Sequence, residues 1–236
     1  MKATTKFIFL IISAILITLF CYLGVWQLHR HTERKAQIAQ ISARLSLPAV
    51  PFENQPNLQK YDLVEVVGQY LPEKAVLWSS QSYNEVPGTH LIVPFRLSSL
   101  DGSIFLVDVG WIPIQVQGIT RPAELVPSGE VQLQARLLTG SSSNGWLALP
   151  PPPTNTPLDN YRWQVIDLTA ISEYTGLKLR TDYYLERVPT EGTPAQLPAF
   201  QSVITLGEGN HLLYAVQWFL FASISLVGAV VFARRR

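Results

Sequence analysis

NHLLYAVQWFLFASISLVGAVVF, residues Asn210 to Phe232, opens on a polar pair and runs into apolar sequence long enough to cross a bilayer. Leu212 to Ala233 carries no formal charge, and about 20 apolar residues in a helix span the hydrocarbon core. A plain anchor needs only apolar side chains. His211, Tyr214, Gln217 and Trp218 are therefore the informative residues, and they place a candidate site at one end of this helix. Gln217 is costly in such a run without a hydrogen-bond partner, which predicts that it faces another helix rather than lipid.

A second apolar run, Phe7 to Leu28, supplies that other helix. It is too long for the core of a cleavable signal and ends on bulky Tyr22 and Trp26 rather than on small residues, so it reads as a retained span with its aromatic rings at the far interface. Lys2 and Lys6 precede it and Arg234 to Arg236 follow the last span, whereas all 17 acidic residues lie between the two runs. The positive-inside tendency then puts both termini in the cytoplasm and the middle of the chain outside it; Arg30, Arg34 and Lys35 oppose this and are outweighed. The only cysteine is Cys21 and the only methionine is Met1. An intrachain disulfide is excluded, and so is copper carriage by thiolate or thioether ligands.

Neither glycine nor proline occurs between Val25 and Leu47, and Ile38, Ile41 and Leu45 recur at helical spacing, so the first helix is expected to continue until Pro48 stops it. Pro48 to Gln59 then reads as a proline-punctuated loop. Beyond it the pattern changes to strands: Leu63 to Gln69, Ala75 to Ser80, Leu91 to Leu97, Ile104 to Gly110, Val131 to Leu137, Trp163 to Leu168 and Tyr183 to Val188. Asp101-Gly102 predicts a hairpin turn. Ala170 to Thr175 predicts a short helix capped by Thr169 and stopped by Gly176. Gly140 to Pro157 and Thr190 to Pro198 read as loops.

The predicted fold class is an α+β membrane protein, with two transmembrane helices flanking an extracytoplasmic, mainly antiparallel β domain, a sheet or small barrel, with a short helix. Its segments are 1–6, 7–28 (first span), 29–47 (juxtamembrane helix), 48–209 (β-rich domain), 210–233 (second span) and 234–236.

The chain holds no Gly-x-Ser-x-Gly elbow, phosphate loop, His-Glu-x-x-His or paired Cys-x-x-Cys motif. Nothing in it points to an enzyme or to nucleic-acid binding. Of the four histidines, His29 and His31 read as a solvated or headgroup-facing pair beside Arg30 and Arg34, and His90 as a loop histidine after Gly88. His211 has two readings. It is either an imidazole ligand for haem iron, or a helix cap beside Asn210 with Tyr214 and Trp218 as interfacial aromatics. Trp26 and Gln27 reach the same interface from the first helix and offer walls to a shallow pocket.

Gly24-Val25-Trp26-Gln27-Leu28 with Arg30 and Lys35, Gly68-Gln69-Tyr70, Pro87-Gly88, Gly110-Trp111-Ile112-Pro113, and Asn210-His211-Leu212 with Tyr214-Ala215 and Trp218-Phe219 follow one another along nearly the whole chain. This series resembles the motifs of the Surfeit locus protein 1 family. Val107-Asp108-Val109-Gly110-Trp111 departs from it, because the family usually carries an asparagine and an arginine before the Gly-Trp; no cationic role is carried over to that strand end. The resemblance implies a multi-pass assembly factor for the haem-copper cytochrome c oxidase of the respiratory chain, in the bacterial inner membrane with its central domain in the periplasm. It also implies transient binding of haem a, with oxidase subunit I and the haem a synthesis or delivery machinery as partners. His211 matches the family's second-helix histidine and so becomes the expected metal ligand, with the haem ring resting between Trp26, Tyr214 and Trp218 beside Gln27. The competing expectation is a haem-free scaffold that steadies an oxidase assembly intermediate.

Overall fold

The structure, a computed structural model, describes residues 3–54, 57–98, 101–114, 121–142, 162–190 and 198–234. The chain divides into two compact units, Met1–Ala43 with Thr205–Arg236, and Arg44–Ile204.

The first unit holds two helices long and apolar enough to cross a membrane. Helix α1 runs unbroken over Ala3–Leu45, as the absence of breakers after Gly24 leads one to expect, and α3 spans His211–Arg234. Between them, in the second unit, lie β1 (Val50–Pro51), β2 (Leu63–Tyr70), β3 (Val76–Tyr83), β4 (Val86–Leu97), β5 (Ile104–Pro113), β6 (Glu130–Leu138), β7 (Arg162–Trp163), helix α2 (Leu168–Thr175) and β8 (Tyr184–Val188).

Five of these strands close a small barrel in the order β2-β6-β8-β5-β4, with β4 returning to β2. The closure is asymmetric. The first half of β4 pairs with β3, and only its end, Phe95 to Leu97, reaches β2. All pairs in the ring are antiparallel except β5 with β8. Alternation fixes which side faces in. Leu133, Ala135 and Leu137 of β6 join Val64, Val93, Phe105, Val107 and Leu185 in the barrel interior, while Gln132 is exposed.

Part of the outer face is also covered, which explains why β4 and β5 are buried on both sides. Leu168 and Ile171 of α2 pack there against Ile92, Leu106 and Tyr184. The N-cap of α2 is Asp167, whose Oδ1 accepts from the Ala170 backbone N–H at 3.1 Å. This corrects the expected Thr169 cap, and it shortens the strand expected over Trp163 to Leu168 to the two residues of β7, because the capped chain must turn before Leu168. Val50 and Pro51, expected in a loop, pair in parallel with Val64 and Glu65. The hairpin between β4 and β5 is present, with Arg96 opposite Ile104. Most of the loops expected at Gly140 to Pro157 and Thr190 to Pro198 lies outside the described residues.

Candidate functional site

Among the residues of α1 withdrawn from solvent, one series falls at alternating steps of three and four: Leu10, Ser13, Ile17, Phe20, Gly24, Gln27, His31 and Arg34, with Leu23 beside it. A matching series runs along α3 at His211, Ala215, Trp218, Ala222, Ser225, Ala229 and Phe232, with Phe219 beside it. This is the spacing of a left-handed helix pair. Here the pair is antiparallel, since Phe9 meets Phe232 with ring centroids 4.1 Å apart while Phe20 stacks on Trp218 at 5.8 Å. Small residues allow the close approach. A Cβ on Gly24 would stand only 2.7 Å from the Phe219 ring.

Gln217 is not on this seam. Its side chain is exposed, and Ala215 and Ala222 take the contact positions expected for it. Helical phase overrides polarity here, because Gln217 sits about 200° around α3 from Ala215.

At the upper end of the seam His211 and Gln27 meet, with His211 Nδ1 2.9 Å from Gln27 Oε1. An amide oxygen only accepts, so Nδ1 carries the proton and donates, and the Nε2 lone pair is left available. Nε2 has no hydrogen-bond partner among the described residues. This is how metal-bound histidines are generally held, with one ring nitrogen bonded to a carbonyl or carboxylate group that fixes tautomer and orientation. The alternative of His211 as a side-chain cap finds no support in its bonding, since its Nδ1 is spent across the seam.

The other expected site residues are placed differently. Trp26 and Tyr214 are 46% and 47% exposed. Consecutive helical residues point about 100° apart, so Trp26 does not share the face that carries Gln27. Trp218 is half-buried two turns below His211, against Phe20 and Phe221. His29 is exposed, in keeping with a solvated histidine, but His31 is not: its Nδ1 is buried without a hydrogen-bond partner.

The second unit contains a polar cluster that sequence reasoning missed. His90 is not in a loop. It lies within β4, fully buried, with Nδ1 2.7 Å from Asp108 Oδ2, and Asp108 and Glu186 are buried beside it on the outer face of the barrel. A register shift in the β4–β5 pairing leaves Val109 unpaired between Asp108 and Gly110, and this bulge aims the Asp108 carboxylate at the imidazole and at the Gly110 N–H. A strap from Ala199 to Ile204 covers the cluster. Ala199 exchanges backbone bonds with Trp111, Gln201 Oε1 lies 3.3 Å from His90 Nε2, and Ser202 Oγ and Val203 N–H donate to Glu186.

Burial raises the Asp108 carboxyl above its ordinary range, opposed by the His90 hydrogen bond. Glu186 is likewise raised by burial, against bonds from Val203 and Ser202. For His90 burial disfavours the imidazolium, but the bond and charge of Asp108 outweigh it and the net shift is upward. A group raised in the folded state adds stability below its unfolded value and loses it as the pH climbs through the folded one. All three therefore act alike, in a window opening at about pH 4 for the carboxyls and about pH 6.5 for the imidazole. The β domain is expected to unfold at lower urea concentration at pH 8 than at pH 5; an equal or higher midpoint at pH 8 would contradict this. Asp182 is shifted downward, so its contribution is lost only at pH values below that window.

The family model described as the SURF1 family matches residues 14–223, which include Gln27, the whole barrel and His211. The chain belongs to the SURF1 family. A SURF1-like protein of Rickettsia conorii is 29% identical over 235 residues, 98% of this chain and 92% of that protein. One of Monosiga brevicollis is 30% identical over 229 residues, 91% of this chain and 83% of that protein. The SURF1-family match thus takes in the seam contact and the buried cluster together, although the two lie in different units.

Proposed function

We propose that this SURF1-family chain is a membrane-bound assembly factor for the haem-copper cytochrome c oxidase. On this reading it receives haem a, holds it at the outer face of the bacterial inner membrane, and passes it to oxidase subunit I. The β domain then occupies the periplasm, consistent with the basic flanks of the two spans. The observation that carries the reading is the bond from His211 Nδ1–H to Gln27 Oε1, which leaves Nε2 as a free, oriented donor at the end of an apolar helix pair. Haem iron brings four nitrogens of its own and needs only one or two from the protein. Among the described residues no group of three or more His, Cys, Asp or Glu side chains is placed to hold a metal ion, whereas a bare zinc ion takes three or four protein ligands.

Each residue then has a task. His211 binds iron, and Gln27 fixes the imidazole tautomer and angle. Tyr214 presents an exposed ring one turn from His211, and Trp26 and Trp218 lie at the periphery, in the interface and on the seam. A single neutral imidazole beside lipid suits a carrier that must release its cargo.

Haem content of the detergent-purified protein, expressed in cells that make haem a, tests this. Wild type is expected to carry haem a, His211→Ala none, and Gln27→Leu an affinity lower by about 10–100-fold. Equal haem in wild type and His211→Ala would overturn the assignment. The exposed rings of Trp26 and Tyr214 favour a second reading, lateral docking to an oxidase subunit without haem. Under that reading subunit I copurifies undiminished with His211→Ala and is lost with Trp26→Ala.

A further inference from the structure

Gln217 is a polar side chain that the pairing of α1 with α3 does not use. Ser13, Thr18 and Ser223 lie in the same two apolar runs, and each returns its hydroxyl to the carbonyl four residues back at 2.9 Å. None of the three needs a partner from outside its own helix. Gln217 is exposed, and its carboxamide has no hydrogen-bond partner among the described residues. It lies about 9 Å along α3 from the helix start at His211. Its stem of two methylenes is too short to carry the amide back that far, unlike the long stems of lysine and arginine. In hydrocarbon an amide without a partner is costly, so this face of α3 calls for another helix that supplies one.

The rest of that face narrows the partner. Successive helical residues turn by about 100°, so Ile224 and Gly228 fall within about 20° of Gln217 and Val231 within about 40°. All three are exposed. A Cβ on Gly228 would meet nothing within 4 Å. No neighbour in the chain requires glycine there, and the space is open to a helix from outside. The face carries no charge, so the group to be matched is a carboxamide, which holds both donors and an acceptor. A carboxamide is its own complement. Two copies inserted in the same sense hold their Gln217 residues at one depth, so a parallel pair of α3 helices brings the two amides together without any shift of register.

We propose that the α3 face of Gln217, Ile224, Gly228 and Val231 is a homodimer interface within the membrane, in which each Gln217 amide donates to the side-chain oxygen of its counterpart. From the function proposed above this takes only that α3 spans the bilayer, and it is independent of haem. The α1 seam stays intact, because Ala215 and Ala222 point about 140–160° away from Gln217. Each dimer therefore presents two complete α1–α3 pairs.

The test is oxidative cross-linking of the full-length chain in native membranes, with exposed Cys21 replaced by serine and single cysteines added. Ile224→Cys is expected to give disulfide-linked dimers. Leu226→Cys is expected to give none, since Leu226 is also exposed but lies about 180° around α3 from Gln217. Energy transfer between labelled copies diluted in liposomes measures the strength. Gln217→Leu is expected to weaken the dimer about 5–30-fold, the equivalent of the 1–2 kcal/mol of an interhelical amide bond, and Gln217→Asn, which keeps an amide, to retain most of it. Gly228→Leu meets nothing within its own chain and is expected to weaken the dimer by blocking approach from outside. No dimer from Ile224→Cys, equal cross-linking from Leu226→Cys, an undiminished dimer in either leucine variant, or Ile224→Cys joined only to a different membrane protein overturns the homodimer and leaves the spanning helix standing. Release of the wild-type chain from membranes by alkaline carbonate overturns the spanning reading and the homodimer with it.

Discussion

Asp108→Ala is expected to destabilise the β domain by about 3–5 kcal/mol, the usual cost of breaking one side of a buried pair. The carboxylate has four roles that alanine cannot fill. It holds His90 Nδ1 at 2.7 Å, accepts the Gly110 N–H at 3.0 Å, offsets the nearby charge of Arg187, and through His90 supports Gln201 in the strap. Its loss leaves a fully buried imidazole without the carboxylate bonded to its Nδ1, and the bulge without the acceptor of the Gly110 N–H. The penalty belongs to the orphaned partner more than to the bond. His90→Leu/Asp108→Leu, which removes both groups, is therefore expected to be more stable than Asp108→Ala alone. Urea unfolding followed by tryptophan fluorescence checks both, since Trp78 packs edge-on to His90 at 5.5 Å. A loss under about 1 kcal/mol for Asp108→Ala would mean that water or a neighbour replaces the carboxylate.

Local patterns are legible in this sequence, and contacts between strands distant along the chain are not. Helix α1 was legible because its signal is local: no breaker after Gly24, then Pro48. Likewise β6 was legible from the alternation of Val131, Leu133, Ala135 and Leu137 with polar residues. His90 was not, because its partner lies on the neighbouring strand and is aimed by a bulge that no local pattern announces. The same holds for the closure of the barrel, which depends on the parallel pairing of β5 with β8 and on a short contact of β2 with β4.

In the helix pair, His211 and Gln27 are individually legible as polar residues at span ends, and only the antiparallel packing of α1 on α3 joins them. Polarity alone does not mark the face where α3 meets α1, and Gln217 lies off that seam. A better signal was in the sequence all along: Ala215, Ala222 and Ala229 recur every seven residues, and small residues at that period mark the face where helices touch.

Gly68→Ala is the second large effect expected, a loss of about 3 kcal/mol at the upper end of overpacking penalties. Gly68 is where β2 passes from one neighbour to the other: it pairs with Val131 of β6 and with Leu97 of β4. A methyl group there would land on the Arg96 carbonyl oxygen and 2.6 Å from the Phe95 ring. The oxygen is backbone and cannot swing aside, so relief requires β2 and β4 to part at the one place where they close the barrel. Glycine at such a corner is needed for its missing side chain rather than for its dihedral freedom. Gly102→Ala separates these two causes. Gly102 has φ +57 and nothing within 4 Å of a built Cβ, so only the left-handed backbone is penalised, by about 1 kcal/mol. Amide exchange at Ser98, whose N–H donates to the Val67 carbonyl across the β2–β4 junction at 2.9 Å, is expected to accelerate in Gly68→Ala and to stay unchanged in Gly102→Ala. Equal destabilisation of the two variants with Ser98 still protected would show that the barrel closes without the tight contact at Gly68.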